Sequence, residues 1–156
     1  MANGGGFAVP KEKQLVTVHV ACGETITGNI FLEFKPETVT LYQKVASFLE
    51  ESAAFFTIVP DAGGPQFLAK ASVRMLEMES VEDESAFSLK RIENITALLC
   101  DGVHVDGSLM ADVPEEKARL SDCLNLPERF LSMRAGGKVL FVNKSLVLKV
   151  LYAKNG

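Results

Sequence analysis

The chain has no tryptophan, only two histidines and only three cysteines among its 156 residues. Two histidines leave little material for nucleophilic or general-base schemes that depend on imidazole. Three cysteines, Cys22, Cys100 and Cys123, cannot all pair within the chain, which excludes a disulfide framework and suggests a reducing, cytoplasmic setting. No window approaches the ~18 consecutive apolar residues of a membrane helix, so no membrane role is expected. The opening Met1-Ala2-Asn3-Gly4-Gly5-Gly6 lacks the basic and long apolar regions of a secretory signal. A basic excess is missing too: sixteen Lys and Arg face twenty Asp and Glu, for a net charge of −4. Phosphate neutralisation supplies much of the affinity for nucleic acid, so the bulk charge disfavours that partner. The double glycines Gly63-Gly64 and Gly136-Gly137 join predicted strands and open no helix, so neither makes a phosphate loop.

What the chain does have is 47% apolar residues, enough for a core, and an internal echo. Displaced by 79 residues, Val16-Thr17-Val18-His19-Val20 lies on Ile95-Thr96-Ala97-Leu98-Leu99, and Gly23, Ile26, Gly28 and Ile30 lie on Gly102, Val105, Gly107 and Leu109. Further on, with a small drift, Phe55 meets Phe130, Ala62-Gly63-Gly64 meets Ala135-Gly136-Gly137, and Lys70 and Val73 meet Lys144 and Val147. Loops that change length while elements persist produce such drift.

Each half predicts strand-strand-helix-strand-strand. The return strand alternates: Ile26, Gly28, Ile30, Leu32 and Phe34 share an inner face, as do Val103, Val105, Gly107, Leu109, Ala111 and Val113. Period-two alternation means antiparallel strands with one buried face, and a mid-strand glycine there marks a bend or a close approach. Thr40 and Gln43 have capping-box spacing ahead of the stripe Leu41, Val45, Phe48 and Leu49, which places a helix start. In the second half Ser121 or Asp122 is expected to cap a short helix whose inner points are Leu120, Cys123 and Leu124. The closing hairpins are expected as Ala54 to Val59 with Gln66 to Met78, and Phe130 to Arg134 with Lys138 to Tyr152.

The expected fold is therefore α+β and mainly antiparallel. Two tandem units form small curved sheets or a partly closed barrel, packed with approximate twofold symmetry. Residues 1–13 read as a loose tail, 14–79 as unit one, 80–88 as an acidic connector and 89–156 as unit two.

The order Arg119-Leu120-Ser121-Asp122-x-Leu124-Asn125, then Phe130-Leu131, then Val142-Asn143-Lys144 resembles a small bacterial domain family of unassigned function. The likeness covers roughly the last 60 residues and implies no activity and no catalytic residue. The first half departs from it, with Thr40-Leu41-Tyr42-Gln43 and Ala69-Lys70 at the matching places. A looser likeness is to Sm-like small barrels, bent sheets that bind RNA, although their helix precedes the first hairpin and here it follows.

The densest polar cluster is Arg119, Ser121, Asp122 and Asn125. Together with Arg129 and Lys144 it supplies the binding candidates, since guanidinium groups suit carboxylate or phosphate. On the structural alternative the cluster caps its helix and Arg119 pairs with Glu115 or Glu116. Adjacent Ser121 and Asp122 cannot flank the ring of His104 as a triad. His19, Cys100 and His104 lie on predicted outer faces and are the candidates for a metal, without the spacing of a closed zinc motif. Phe31 and Met110 occupy equivalent places on otherwise polar faces and are the interface candidates. One member of each pair Phe55-Phe56 and Phe130-Leu131 must point outward. The reading is a non-catalytic cytoplasmic interaction or regulatory module that needs no cofactor and binds a protein partner or itself. The alternatives are a nucleic-acid-binding small barrel using Arg119, Arg129, Lys138 and Lys144, and a metal-dependent hydrolase around His19 and His104.

Overall fold

A computed structural model describes residues 11–79, 90–114, 116 and 119–153. The alternating segments form hairpins. β1 (Lys11–Val20) pairs with β2 (Thr25–Glu33), and β6 (Lys90–Leu99) pairs with β7 (His104–Ala111). Val16, Val18, Ile26, Ile30 and Leu32 are buried on one face of the first hairpin. β1 begins at Lys11, earlier than the expected tail allows, because Lys11 to Lys13 pair with β2 and Glu12 binds the Lys44 ammonium at 2.7 Å. The rest of that tail and the acidic connector lie outside the described residues.

α1 (Leu41–Glu50) starts where its chemistry predicts. The Thr40 hydroxyl accepts from the Gln43 N–H at 3.1 Å, and the Gln43 side chain accepts from the Thr40 N–H at 2.9 Å. Val45 and Leu49 are its buried points. α2 (Leu120–Leu124) is a single turn that buries Cys123.

The second hairpins differ from expectation. β3 (Phe55–Pro60) pairs with β4 (Gln66–Ala69), a 3₁₀ turn follows at Lys70–Ser72, and β5 (Val73–Glu79) then pairs with β1. Likewise β8 (Phe130–Ala135) and β9 (Lys138–Asn143) are followed by a turn at Lys144–Leu146 and by β10 (Val147–Tyr152), which pairs with β6. A single strand cannot pair first with one neighbour and then return to the opposite side of the sheet, so a corner divides each expected long strand in two.

All ten strands belong to one open antiparallel sheet in the order β10-β6-β7-β8-β9-β5-β1-β2-β3-β4. One open sheet takes the place of the expected small curved sheets or partly closed barrel. The halves meet edge to edge through β5 and β9, with Met75 opposite Val142, Leu76 opposite Phe141 and Glu77 opposite Leu140.

Two cores result. One gathers β1, β2, α1 and β5, and the other lies between β6, β7 and α2. β8 and β9 serve both: Phe130, Val139 and Phe141 enter the first, while Leu131, Met133, Leu140 and Val142 enter the second. Both members of Phe130-Leu131 are thus buried, whereas in the first half Phe56 points in and Phe55 out. Met110, expected on a polar outer face, is buried as well, and Phe34, expected inside, is exposed beyond the end of β2.

Candidate interaction site

The junction between β5 and β9 concentrates the polar chemistry. Asn143 ends β9 and is buried. Its Nδ2 donates to the Val73 carbonyl at 2.9 Å, and its Oδ1 accepts from the Ser145 N–H at 3.0 Å and the Ser145 hydroxyl at 2.7 Å. One side chain thereby holds its own 3₁₀ turn and the start of the strand across the joint.

A second fastening lies at the C-terminal end of α1, where carbonyls lack helical partners. Arg129 Nη2 donates to the carbonyls of Leu49 at 3.0 Å and Glu51 at 2.7 Å, and its backbone N–H donates to a Glu50 carboxylate oxygen at 2.8 Å. Lys70, only 4% exposed, donates Nζ to the carbonyls of Phe48 at 3.2 Å and Glu51 at 2.8 Å. Burial and then the neighbouring Arg129 charge push the Lys70 ammonium below its ordinary range. Neither Lys70 nor Glu50 and Glu51 stood among the sequence candidates; the lysine's exact repetition as Lys144 was the available signal.

A third fastening is the carboxylate of Glu77 on β5, which accepts from His19 Nε2 at 2.6 Å and pairs with Lys138 Nζ at 2.9 Å. Burial would raise that carboxyl, but the hydrogen bonds from His19 and Lys138 outweigh it and hold it below its ordinary range. Arg74 on β5 also reaches Asp101, in the turn between β6 and β7, at 2.6 Å.

The predicted binding residues do not converge. Arg119, Ser121, Asp122 and Asn125 line one shallow depression with Val113 and Leu126. There Arg119 Nε pairs with Asp122 at 3.1 Å instead of with Glu116, and Asn125 Nδ2 donates to the Ser121 carbonyl at 2.7 Å. Glu115, the other expected acid, lies outside the described residues. Ser121 and Asp122 sit inside α2, and its N-cap Arg119 makes no side-chain cap, so the expected capping role falls away. Lys144 does not line that depression but donates Nζ to the carbonyl of Leu126, which does, at 2.6 Å; burial pushes its ammonium below the ordinary range.

Lys144 lines a cleft of about 220 Å³ together with Tyr42 and Gln43 of α1, Met110 of β7, and Cys123. Tyr42 closes it by a 2.7 Å hydrogen bond to the Ser132 hydroxyl and by stacking on Phe141 at 5.5 Å; burial pushes its phenol up. Burial likewise raises the Cys123 thiol. Met110 therefore packs between the halves of the chain, while its sequence counterpart Phe31 is half-buried on β2.

The metal candidates are dispersed. His19 commits one ring nitrogen to Glu77 and places the other 3.4 Å from the Thr25 hydroxyl, while Cys100 and His104 are exposed beside the turn from β6 to β7. No group of three His, Cys, Asp or Glu side chains able to hold a metal occurs among the described residues. Nor, among them, is any helix long and apolar enough to cross a membrane.

The two ends of the sheet remain. β10 and β4 are its edge strands. Among the described residues seven large apolar side chains are exposed, and five of them lie at these ends: Leu148, Leu151 and Tyr152 on β10, Phe67 on β4, and Phe55 on the adjoining β3. Backbone directions follow from the ladders. The Ala153 N–H donates to Asn94 at 3.0 Å, so alternation turns the N–H and C=O of Val150 and Tyr152 toward the open side of β10. The Lys70 N–H donates to Ala54 at 2.9 Å, which turns those of Phe67 toward the open side of β4. No protein-family model, curated protein or solved structure matches the chain.

Proposed function

We propose that the protein is a non-catalytic, cytoplasmic interaction module that receives a partner strand on an open edge of its sheet. The carrying observation is β10, an edge strand with Leu148, Leu151 and Tyr152 exposed and with amides directed outward. An apolar, unpaired edge is a template for strand addition, and natural proteins usually blunt edges that have no use. The three cysteines, all unpaired, favour a reducing compartment.

The module is read as two related units joined in tandem, and matching registers support this. Val16 faces Gly28 as Ile95 faces Gly107, Thr17 faces Glu77 as Thr96 faces Leu151, and Phe55 faces Ala69 as Phe130 faces Asn143.

The test is selection of displayed linear peptides on the purified chain, followed by amide hydrogen exchange on the winners. Extended peptides with alternate apolar residues are expected, slowing exchange at Val150 and Tyr152. Failure to enrich any peptide over a Tyr152→Pro variant, or winners that leave β10 exchange unchanged, would overturn the proposal.

A further inference from the structure

We infer that the strand received by β10 is β4 of a second copy of this chain, so that copies join head to tail. This inference rests on the edge reading above and adds the identity of the partner.

The joint between β5 and β9 supplies the pattern. β5 follows the 3₁₀ turn that starts at Lys70, and β10 follows the turn that starts at Lys144. β4 precedes the first turn and β9 the second. β5 and β9 are paired with each other, which leaves β10 and β4, their counterparts, as the two edges. The chain thus carries one joint already made and both halves of the same joint unmade, at opposite ends.

Register and chemistry agree. Counting from the two turns, Leu76 corresponds to Val150 and Phe141 to Phe67. Leu76 faces Phe141 in the existing joint, so Val150 would face Phe67 between copies, with Lys149 beside Leu68 and Leu151 beside Gln66. Val150 and Phe67 both turn N–H and C=O outward, as a reciprocal pair of hydrogen bonds requires. Phe141 is 1% exposed in the made joint, whereas Phe67 is 71% exposed at the unmade one. A joint between unlike surfaces leaves one edge of each kind free at every step, so assembly closes into a ring or continues as a filament.

The intermolecular joint lacks two fastenings of the internal one. Ala69 stands where Asn143 stands, and Leu151 where Glu77 stands. Dissociation on dilution is therefore expected.

The experiment measures mass in solution by light scattering and sedimentation across a concentration series. The full chain is expected to exceed its monomer mass of 16.9 kDa. Phe67→Pro removes the outward amide of β4 and Tyr152→Pro that of β10, in each case at an exposed side chain on an edge strand, where proline is tolerated. Each variant alone is expected to be monomeric with unchanged circular dichroism. Mixed in equal amounts they are expected to form a one-to-one pair, because each keeps the edge that the other lost. Should either proline disturb the fold, Phe67→Lys and Leu151→Lys serve in the same mixing test. A wild-type chain that stays monomeric throughout, or single variants that still associate, would overturn the inference. Peptide capture at β10 by a chain that never self-associates would sink this inference alone and leave the edge reading standing.

Discussion

The side-chain amide of Asn143 donates to the backbone carbonyl of Val73 at 2.9 Å, across the joint between β9 and β5. A buried carbonyl left without its donor costs about 1–3 kcal/mol. Asn143→Ala is therefore expected to destabilise the chain by roughly that amount, and by more than Ser145→Ala, which removes only a hydroxyl bonded to the same Asn143 oxygen. Urea unfolding of the two variants checks the order.

Gly28 and Gly107 are places where another backbone comes close. A Cβ at Gly28 would lie 2.6 Å from the Val59 oxygen, and one at Gly107 would lie 2.7 Å from the Arg134 oxygen. Neither obstacle is a flexible side-chain tip, so alanine at either site is expected to cost about 1–3 kcal/mol by overpacking. At Gly64 an added Cβ meets nothing within 4 Å, and alanine there is expected to change stability by less than about 0.5 kcal/mol. Thermal unfolding of the three variants tests the ranking.

Acid should loosen the region of the joint through Glu77. Its carboxyl is held below its ordinary value of 4.5 in the folded chain by hydrogen bonds from His19 and Lys138, against the opposing effect of burial. A depressed carboxyl contributes stability above its unfolded value and loses it as pH falls through the folded one. Stability is thus expected to fall with acid below about pH 4.5, and Glu77→Gln is expected to flatten that part of the profile while lowering stability at neutral pH. Denaturant midpoints measured from pH 3 to 7, a span of roughly four units around the carboxylate range, provide the check.

Binding to single-stranded oligonucleotides is expected to be weak and without a steep salt dependence. Each base of the proposed patch is already engaged: Arg119 with Asp122, Arg129 with Glu50 and the end of α1, Lys138 with Glu77, and Lys144 with the Leu126 carbonyl. Counterion release needs several phosphate contacts, and of these four residues Arg129 and Lys144 are held by backbone carbonyls, which leaves the exposed Arg119 and Lys138 to make them. A salt titration showing a steep loss of affinity would restore nucleic acid as a partner.

Thiol chemistry should separate the cysteines. Cys22 and Cys100 are exposed, while Cys123 is buried under α2 with its thiol raised by burial. Ellman's reagent is expected to modify Cys22 and Cys100 quickly in the native chain and Cys123 only on unfolding.

Much of the local architecture was legible in the residues. Alternation placed the faces of most of β2 and β7, and Thr40 with Gln43 placed the start of α1 to the residue, because caps and pleats are local chemistry. The binding candidates fared differently. Arg129 and Lys144 looked like free cations, yet both spend their charge on backbone carbonyls of other elements, and no local pattern encodes such distant acceptors. One missed signal was present: Val139-Leu140-Phe141-Val142 is a continuous apolar run, the mark of a strand covered on both faces, and β9 is that strand.

The amino-acid order by itself determined where most strands run, most of their inward faces, the helix entry and the paired glycines, since each depends on neighbours a few residues away. Only the tertiary structure decided that the corners at Lys70 and Lys144 split the long strands, that β5 joins β9, and that β4 and β10 are left as edges. Which backbone edge meets which is settled by the packing of α1 over β8 and β9 and by the side chains of Asn143 and Arg129, contacts between residues far apart in sequence that no window along the chain contains.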